Sequence, residues 1–231
     1  MPTYNEAGNV PELLRRIMAL GIPNLDVLFV DDASPDGTAE VAEGLSPQYG
    51  GQVRVLRRPG KLGLGTAYVA GLTEALSSGA DRIVEMDADL SHAPEYIPTL
   101  LAATVSHDVA VGSRWVSGGG TDPDWGLGRR LLSRGGSVYA RALLGLKVRD
   151  TTTGFKCFRR EPLAGIDLHA IRSHGFAFQV EMAYLCQKKG CRVAEIPIRF
   201  AERTVGKSKM SPRIVMEALW RVAAIRLRGI G

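Results

Sequence analysis

The chain has 231 residues, 45% of them apolar and 23% charged, which suits one packed α/β domain with a short appendage and excludes a disordered chain. No run approaches the roughly 18–20 uninterrupted apolar residues of a spanning helix, and the opening Met1-Pro2-Thr3-Tyr4-Asn5-Glu6 has no leader pattern. The expected setting is therefore cytoplasmic, in solution or peripheral at the cytoplasmic face of a membrane. The formal charge of +5 divides unevenly: residues 1–112 hold 7 Lys+Arg against 15 Asp+Glu, and residues 113–231 hold 22 against 9. An acidic first half suits a divalent cation and a basic second half suits an anionic partner. No helix-turn-helix, zinc-finger or RNP-type pattern accompanies the basic half, so that partner is expected to be a small phosphate or a lipid surface, not nucleic acid.

In chain order, Asn9 to Leu20 reads as a helix, with Val10, Leu13, Leu14, Ile17 and Met18 at helical spacing. Asp26 to Val30 is a continuous apolar run, the pattern of a strand buried on both faces, and it ends in Asp31-Asp32. Ser34-Pro35-Asp36-Gly37-Thr38 turns the chain into a helix through about Leu45. Gln52 to Leu56 reads as a strand, and Gly63 to Leu76 as a glycine-rich loop leading into a helix. Arg82 to Met86 is a strand that stops at Asp87-Ala88-Asp89. Pro94 to Val105 is expected to be helical, with the proline in its first turn, and Val109 to Gly112 to be the next strand. This alternation with short connections predicts a mostly parallel, Rossmann-like sheet flanked by helices. Ligands bind beyond the carboxyl ends of such strands, where both acidic pairs fall.

The second half changes character. Gly118-Gly119-Gly120 and Asp122-Pro123-Asp124 read as a flexible loop, then Leu127 to Leu144 as a helix carrying Arg129, Arg130, Arg134 and Arg141. Thr151 to Phe158 reads as a strand, Phe178 to Lys188 as a helix, and Val193 to Phe200 as a strand. Pro212 to Leu227 is expected to be a basic amphipathic helix carrying Trp220. An interfacial anchor and a core-facing helix with a solvated basic face fit it equally. Cys157, Cys186 and Cys191 have no zinc spacing and read as reduced thiols. Of the histidines only His92 lies near a motif.

Asp-x-Asp at a strand tip presents two carboxylates on one side, because side chains alternate. Their repulsion is relieved when a hard divalent cation bridges them to phosphate oxygens, and Mg²⁺ typically takes one or two carboxylates plus substrate phosphates. Asp87 and Asp89 match that pattern.

Five motifs occur in an order that resembles glycosyltransferase family 2. They are Pro2-Thr3-Tyr4-Asn5-Glu6, Val30-Asp31-Asp32-Ala33-Ser34-Pro35-Asp36-Gly37-Thr38, Gly63-Leu64-Gly65-Thr66-Ala67, Met86-Asp87-Ala88-Asp89-Leu90 and Gly112-Ser113-Arg114. Ser34-Pro35-Asp36-Gly37-Thr38, Asp150-Thr151-Thr152-Thr153-Gly154-Phe155-Lys156 and Arg203-Thr204-Val205-Gly206-Lys207-Ser208-Lys209 are similar to the dolichyl-phosphate (polyprenyl monophosphate) mannosyltransferase branch. The resemblance covers almost the whole chain. It implies a single GT-A domain over 1–231, with a nucleotide-sugar and metal half at 1–112 and an acceptor half at 113–231.

The implied reaction is inverting transfer of mannose from GDP-mannose to dolichyl or polyprenyl phosphate. Transfer from UDP-glucose, or a non-catalytic nucleotide- or membrane-binding module, are the alternatives. In the implied site Pro2, Tyr4, Glu6, Val30 and Asp32 form the nucleotide pocket, with Tyr4 against the base and Asp32 gripping it. Lys61, Gly63 and Gly65 line it, and Asp87, Ala88, Asp89 and Arg114 complete the donor site. Asp87 and Asp89 hold Mg²⁺ or Mn²⁺, with Ser91 where the family usually has Gln as a third metal contact. Arg203 and Lys209 reach over the leaving nucleoside diphosphate, and Asp89 and Arg114 are the expected catalytic residues.

A lipid phosphate monoester is already anionic near neutral pH, so no catalytic base is expected. Arg114, Arg130 (or Arg129) and Ser133 are the candidates to hold it, since guanidinium forks suit phosphate. A membrane surface and a membrane-anchoring subunit are the further expected partners. The family carries a hydrophobic first strand ahead of Pro-Thr-Tyr-Asn-Glu, whereas Met1 directly precedes Pro2 here. That strand is expected to be missing and its neighbours' edges exposed.

Overall fold

The computed structural model describes residues 1–173, 175–202 and 212–228. Val10, Leu13, Leu14 and Ile17 sit on the inner face of α1 (Val10–Met18), each at most 2% exposed. Each such side chain contributes about 1.5–3 kcal/mol by leaving water. They pack on Val27 and Phe29 of β2 (Val27–Asp31). β2 pairs in parallel with β1 (Pro2–Thr3) on one side and β3 (Val53–Arg57) on the other. The crossovers run through α2 (Thr38–Leu45), and α3 (Leu64–Ser77) leads onward to β4 (Arg82–Glu85). The strand β1 pairs with β2 and with no other strand among the described residues.

A second sheet runs β4, β7, β5, β8, with α4 (Ile97–Ala103) before β5 (Val109–Ser113). Between β5 and β7 the chain forms β6 (Gly120–Thr121) and α5 (Leu127–Leu144). The strand β7 (Lys156–Arg159) comes from the second half and inserts antiparallel between β4 and β5. Then follow α6 (Arg160–Ala164), α7 (Phe176–Lys188), β8 (Val193–Pro197), β9 (Arg199–Phe200) and α8 (Pro212–Arg228). The pairs β5–β8 and β6–β9 are parallel. The architecture is the expected α/β one, with mostly parallel strands flanked by helices. A cavity of about 530 Å³ lies between the sheets, lined by Leu28, Val30, Gly71, Val84 and Met86 among others.

Three local expectations change. Residues 151–155 form a loop, because Asp150, Thr151 and Thr153 turn inward, all at most 2% exposed, ahead of the strand. The stretch 94–105 is a 3-10 turn over Pro94–Tyr96 followed by α4. Residues 118–120 are not loosely held. Gly118 has φ +85°, Gly120 pairs in β6, and a Cβ on Gly119 would stand 2.5 Å from the Ser113 carbonyl oxygen.

The helix α8 is core-facing on one side, as one of its two readings expects. Val222 and Ile225 are buried against Ala140, Leu144, Val180 and Tyr184, whereas Trp220 and Leu227 face outward, 69% and 78% exposed. No helix among the described residues is long and apolar enough to cross a membrane.

Because a backbone carbonyl cannot swing aside as a side-chain tip can, Gly119→Ala is expected to destabilise the fold by about 1–3 kcal/mol. Urea unfolding measures this, and a loss below about 0.5 kcal/mol would contradict the close approach.

Candidate active site

The end of β2 and the turn after β4 are brought to one place by the first turns of α3. Gly63, its N-cap, has φ +102° and donates its N–H to Asp32 Oδ2 at 3.2 Å. Five residues on, the Tyr68 hydroxyl donates to Asp87 Oδ1 at 2.7 Å. Five residues are about 7.5 Å of helix rise, so the Asp32 and Asp87 carboxylates flank the same short stretch of α3. Between them Thr66 Oγ1 accepts a 2.6 Å hydrogen bond from Arg58, and Arg58 in turn pairs with Asp32 at 2.7 Å, both side chains buried.

The loops that form the implied nucleotide pocket are knitted together. The Asn5, Glu6 and Ala7 amides donate to Ser34 Oγ, Thr38 Oγ1 and Asp36 Oδ2 at 2.9–3.1 Å. Lys61 lies 3.9 Å above the Tyr4 ring, a cation–π contact that pairs two of the residues the resemblance brought forward. Val30 is placed otherwise. It is 1% exposed, and its side chain faces Gly71 of α3, where an added Cβ would meet Val30 Cγ2 at 3.0 Å. Val30 therefore packs beneath the rim and presents no side chain to a nucleotide.

The Asp87-Ala88-Asp89 turn is tightly specified. Ala88 points into the core, 3% exposed, while the Asp87 side chain is 32% exposed. Leu90 adopts φ +63°, a left-handed conformation uncommon for a branched apolar residue. The Ser91 amide closes an Asx-type turn onto Asp89 Oδ1 at 3.0 Å. His92 Nδ1 accepts the Asp87 N–H at 3.2 Å, which places the imidazole proton on Nε2. Burial lowers the His92 pKa, against the pull of the Asp87 and Asp89 carboxylates, so the ring is a neutral acceptor. Asn5, Ala33 and Leu90, three of the four non-glycine residues with positive φ among those described, lie in these site loops. Backbone strain concentrates at functional loops when the surroundings over-determine it.

Among the described residues no three His, Cys, Asp or Glu side chains converge as a ready metal cage. A diphosphate-bound cation needs fewer, because phosphate and water oxygens supply the remaining positions. The donors fit that case, with the Asp87 carboxylate partly open to solvent and Asp89 nearby in the same turn at 4% exposure. Ser91 is fully enclosed and its hydroxyl has no hydrogen-bond partner among the described residues. It thus faces protein and not the cleft.

Arg114 is committed elsewhere than expected. Its Nε and Nη2 form a fork on Asp150 at 2.7 Å, Nη2 also donates to Thr152 Oγ1 at 2.9 Å, and its own amide donates to Asp150 at 2.9 Å. Its guanidinium also lies 5.3 Å from the Phe200 ring, which packs edge-on against His92. Arg114 therefore ties the Asp150–Gly154 loop to the His92 side of the Asp87 turn. Arg130 donates to the Asp122 and Pro123 carbonyls at 2.7 and 2.8 Å, and its buried Nε has no hydrogen-bond partner among the described residues. Arg129 stacks on Trp125 and pairs with Glu202 at 2.7 Å. Ser133 lies one turn further along α5, half-buried. Arg203 and Lys209 lie outside the described residues. Residues whose roles the sequence had not marked are Arg58, Tyr68, Asp150 and Gly154. For the last two the quoted Asp150–Lys156 motif was the available signal.

The family described as Glycosyl transferase family 2 matches residues 1–166, and the chain belongs to that family. It is 45% identical over 229 residues to an undecaprenyl-phosphate mannosyltransferase of Micrococcus luteus, spanning 97% of this chain and 93% of that one. Identity to a polyprenol monophosphomannose synthase of Mycolicibacterium smegmatis is 43% over 230 residues, spanning 99% and 86%. The fold is similar to that of glucosyl-3-phosphoglycerate synthase from Mycobacterium tuberculosis, crystallised with Mn²⁺, uridine diphosphate and glucosyl-3-phosphoglycerate. The TM-score is 0.64 at 18% identity, over 98% of this chain and 77% of that one. The fold is GT-A, and the chain is a glycosyltransferase.

Burial by itself raises the Asp150 pKa, but Arg114 and the surrounding hydrogen bonds outweigh it, and the carboxyl lies below its ordinary 3.8. A carboxyl lowered on folding stabilises the protein above its unfolded pKa and loses that contribution as pH falls through the folded value. Asp150→Asn leaves Arg114 buried without its counter-charge, an expected loss of about 3–5 kcal/mol. The stability gap to wild type should hold from about pH 8 down to about pH 5 and narrow only below the ordinary carboxyl value. Urea unfolding across pH tests this, and a gap already closed at about pH 5 would remove Asp150 as the counter-ion.

Proposed function

We propose that this chain transfers mannose from GDP-mannose to a dolichyl or polyprenyl phosphate, with inversion at the anomeric carbon. The observation that carries the reading is the fixed Asp87-Ala88-Asp89 turn, coupled through α3 to the Asp32 pocket. The names of the relatives at 43–45% identity support the sugar and the acceptor class. The M. tuberculosis synthase, crystallised in complex with Mn²⁺ and uridine diphosphate, supports the use of a divalent cation. Bound at Asp87 and Asp89, Mg²⁺ or Mn²⁺ would neutralise the donor diphosphate.

The chain's own residues do the rest. Tyr4, braced by Lys61, meets the base, and Asp32, held by Arg58 and the Gly63 amide, fixes the nucleoside. Arg203 and Lys209 are proposed to approach the leaving diphosphate. The acceptor phosphate needs no base, since its second ionisation lies near pH 6. It needs cations that hold it against the donor's negative charge. Arg130 and Ser133, one turn apart on α5, are proposed for that role. Arg114 serves the same end indirectly by fixing the Asp150–Gly154 loop. Leu127 and Leu131 on α5, 77% and 72% exposed, and Trp220 on α8 offer apolar surface beside the arginines. Such a surface suits peripheral contact with a membrane carrying the lipid acceptor.

Transfer is measured with labelled GDP-mannose, short polyprenyl phosphate and Mn²⁺. Asp89→Ala is expected to lower kcat at least about a hundredfold, the scale for removing a group that stabilises transition-state charge. Near-normal turnover with unchanged metal dependence would refute the assignment, and preference for UDP-glucose in the same assay would replace the donor. Arg130→Ala is expected to raise the KM for lipid phosphate about tenfold, an effect of about 1.4 kcal/mol, with the KM for nucleotide sugar little changed. Equal increases in both would remove Arg130 from the acceptor site.

A further inference from the structure

We infer that Tyr68 is a positioning residue for the cation, holding the Asp87 carboxylate so that a single oxygen is presented to the metal. This rests on the cation reading of Asp87 and Asp89 above. Tyr68 is 3% exposed on α3 and lies flat against Phe178 of α7, with ring centroids 5.3 Å apart and planes 4° apart. Its hydroxyl has one described acceptor, Asp87 Oδ1 at 2.7 Å. From the other side the Asp87 amide is held by His92, whose Nδ1 lies 3.8 Å from Oδ2. Both the backbone and one carboxylate oxygen of Asp87 are therefore fixed before any ligand arrives.

Gly154 closes the arrangement from a third element. A Cβ at that position would lie 2.8 Å from the Tyr68 hydroxyl oxygen and 3.3 Å from Asp87 Oδ1. The glycine in Asp150–Lys156 thus lets the loop backbone lie directly over the Tyr68–Asp87 hydrogen bond. The loop is anchored on both flanks, by Arg114 on Asp150 and by Lys156, whose ammonium donates to the Thr153 carbonyl at 2.7 Å and to Glu85 at 2.9 Å. A carboxylate with one oxygen already engaged offers one ligand atom in a fixed direction, which suits the near-octahedral demand of a small hard cation. Partners of this kind commonly change metal affinity by 10–100-fold.

The test is titration of the full chain with Mn²⁺ alone, following free Mn²⁺ by electron paramagnetic resonance, with thermal unfolding recorded in parallel. Tyr68→Phe keeps the ring stack and removes only the hydroxyl. It is expected to weaken Mn²⁺ binding about tenfold while Tm stays close to wild type. Gly154→Ala, which crowds the same hydrogen bond without touching the phenol, is expected to weaken binding in the same direction. It serves as the measurement should Tyr68→Phe fold poorly. A Tm loss with Mn²⁺ affinity equal to or tighter than wild type in both variants would overturn the inference and leave Tyr68 a packing residue. Asp87→Asn separates the two readings. If wild type binds Mn²⁺ no better than Asp87→Asn, both fall; if Asp87→Asn abolishes binding and Tyr68→Phe does not weaken it, this inference alone falls.

Discussion

A charge can stay buried at the rim of a sheet only when a partner offsets the cost of removing it from water, and that requirement organises this molecule. Asp32 is paired with Arg58, Glu85 with Lys156 and Asp150 with Arg114, and the partly exposed Asp87 is held by the Tyr68 hydroxyl. The four partners come from the segment after β3, from α3, from β7 and from the end of β5. Each acid is thereby tied to a part of the chain remote in sequence, and the ties coincide with the contacts that align the loops of the site. Net charge opposes itself between the two halves of the sequence, and two of the four pairs, Glu85–Lys156 and Asp150–Arg114, carry a cation from the basic half.

The same constraint explains what could be read from the residues alone. The span of α5 coincides with the periodic stretch Leu127 to Leu144, and α1, α2 and β2 lie within two residues or so of their expected bounds, because apolar spacing directly reports a buried face. The two acidic pairs were legible as strand-end residues for the same reason. Partner choice was not legible. Nothing local marks Tyr68 as a donor to Asp87 and not one more apolar contact in a helical pattern, and nothing local tells that Arg114 spends its fork on Asp150. Consecutive β-branched threonines at 151–153 imitate a strand, yet their hydroxyls and Asp150 serve an inward-turned polar loop. Val30 shows the converse: a motif neighbour of Asp32 whose side chain packs under α3.

Two helices of the basic half are each divided between core and surface. The Val222–Ile225 side of α8 closes a small apolar cluster with α5 and α7, and its Trp220–Leu227 side is open to solvent. Along α5, Ser137, Ala140 and Leu144 turn inward, while Leu127, Leu131 and Val138 turn outward among arginines. A helix that packs on one face and stays apolar on the other holds its outward side chains at fixed depth relative to the site, which a tethered free helix does not.

The antiparallel insertion of β7 has a consequence for how the molecule is made. Arg82 of β4 lies opposite Arg159 of β7, and Val109 of β5 opposite Phe158, so the central strand of that sheet is synthesised after both of its neighbours. Until it arrives, β4 and β5 present open edges, and the pairing that closes them spans a long loop, a topology that slows folding and exposes strands to intermolecular pairing. The segment matched by the family ends at residue 166, just past this late strand, so the matched region includes the piece that closes the facing edges of β4 and β5.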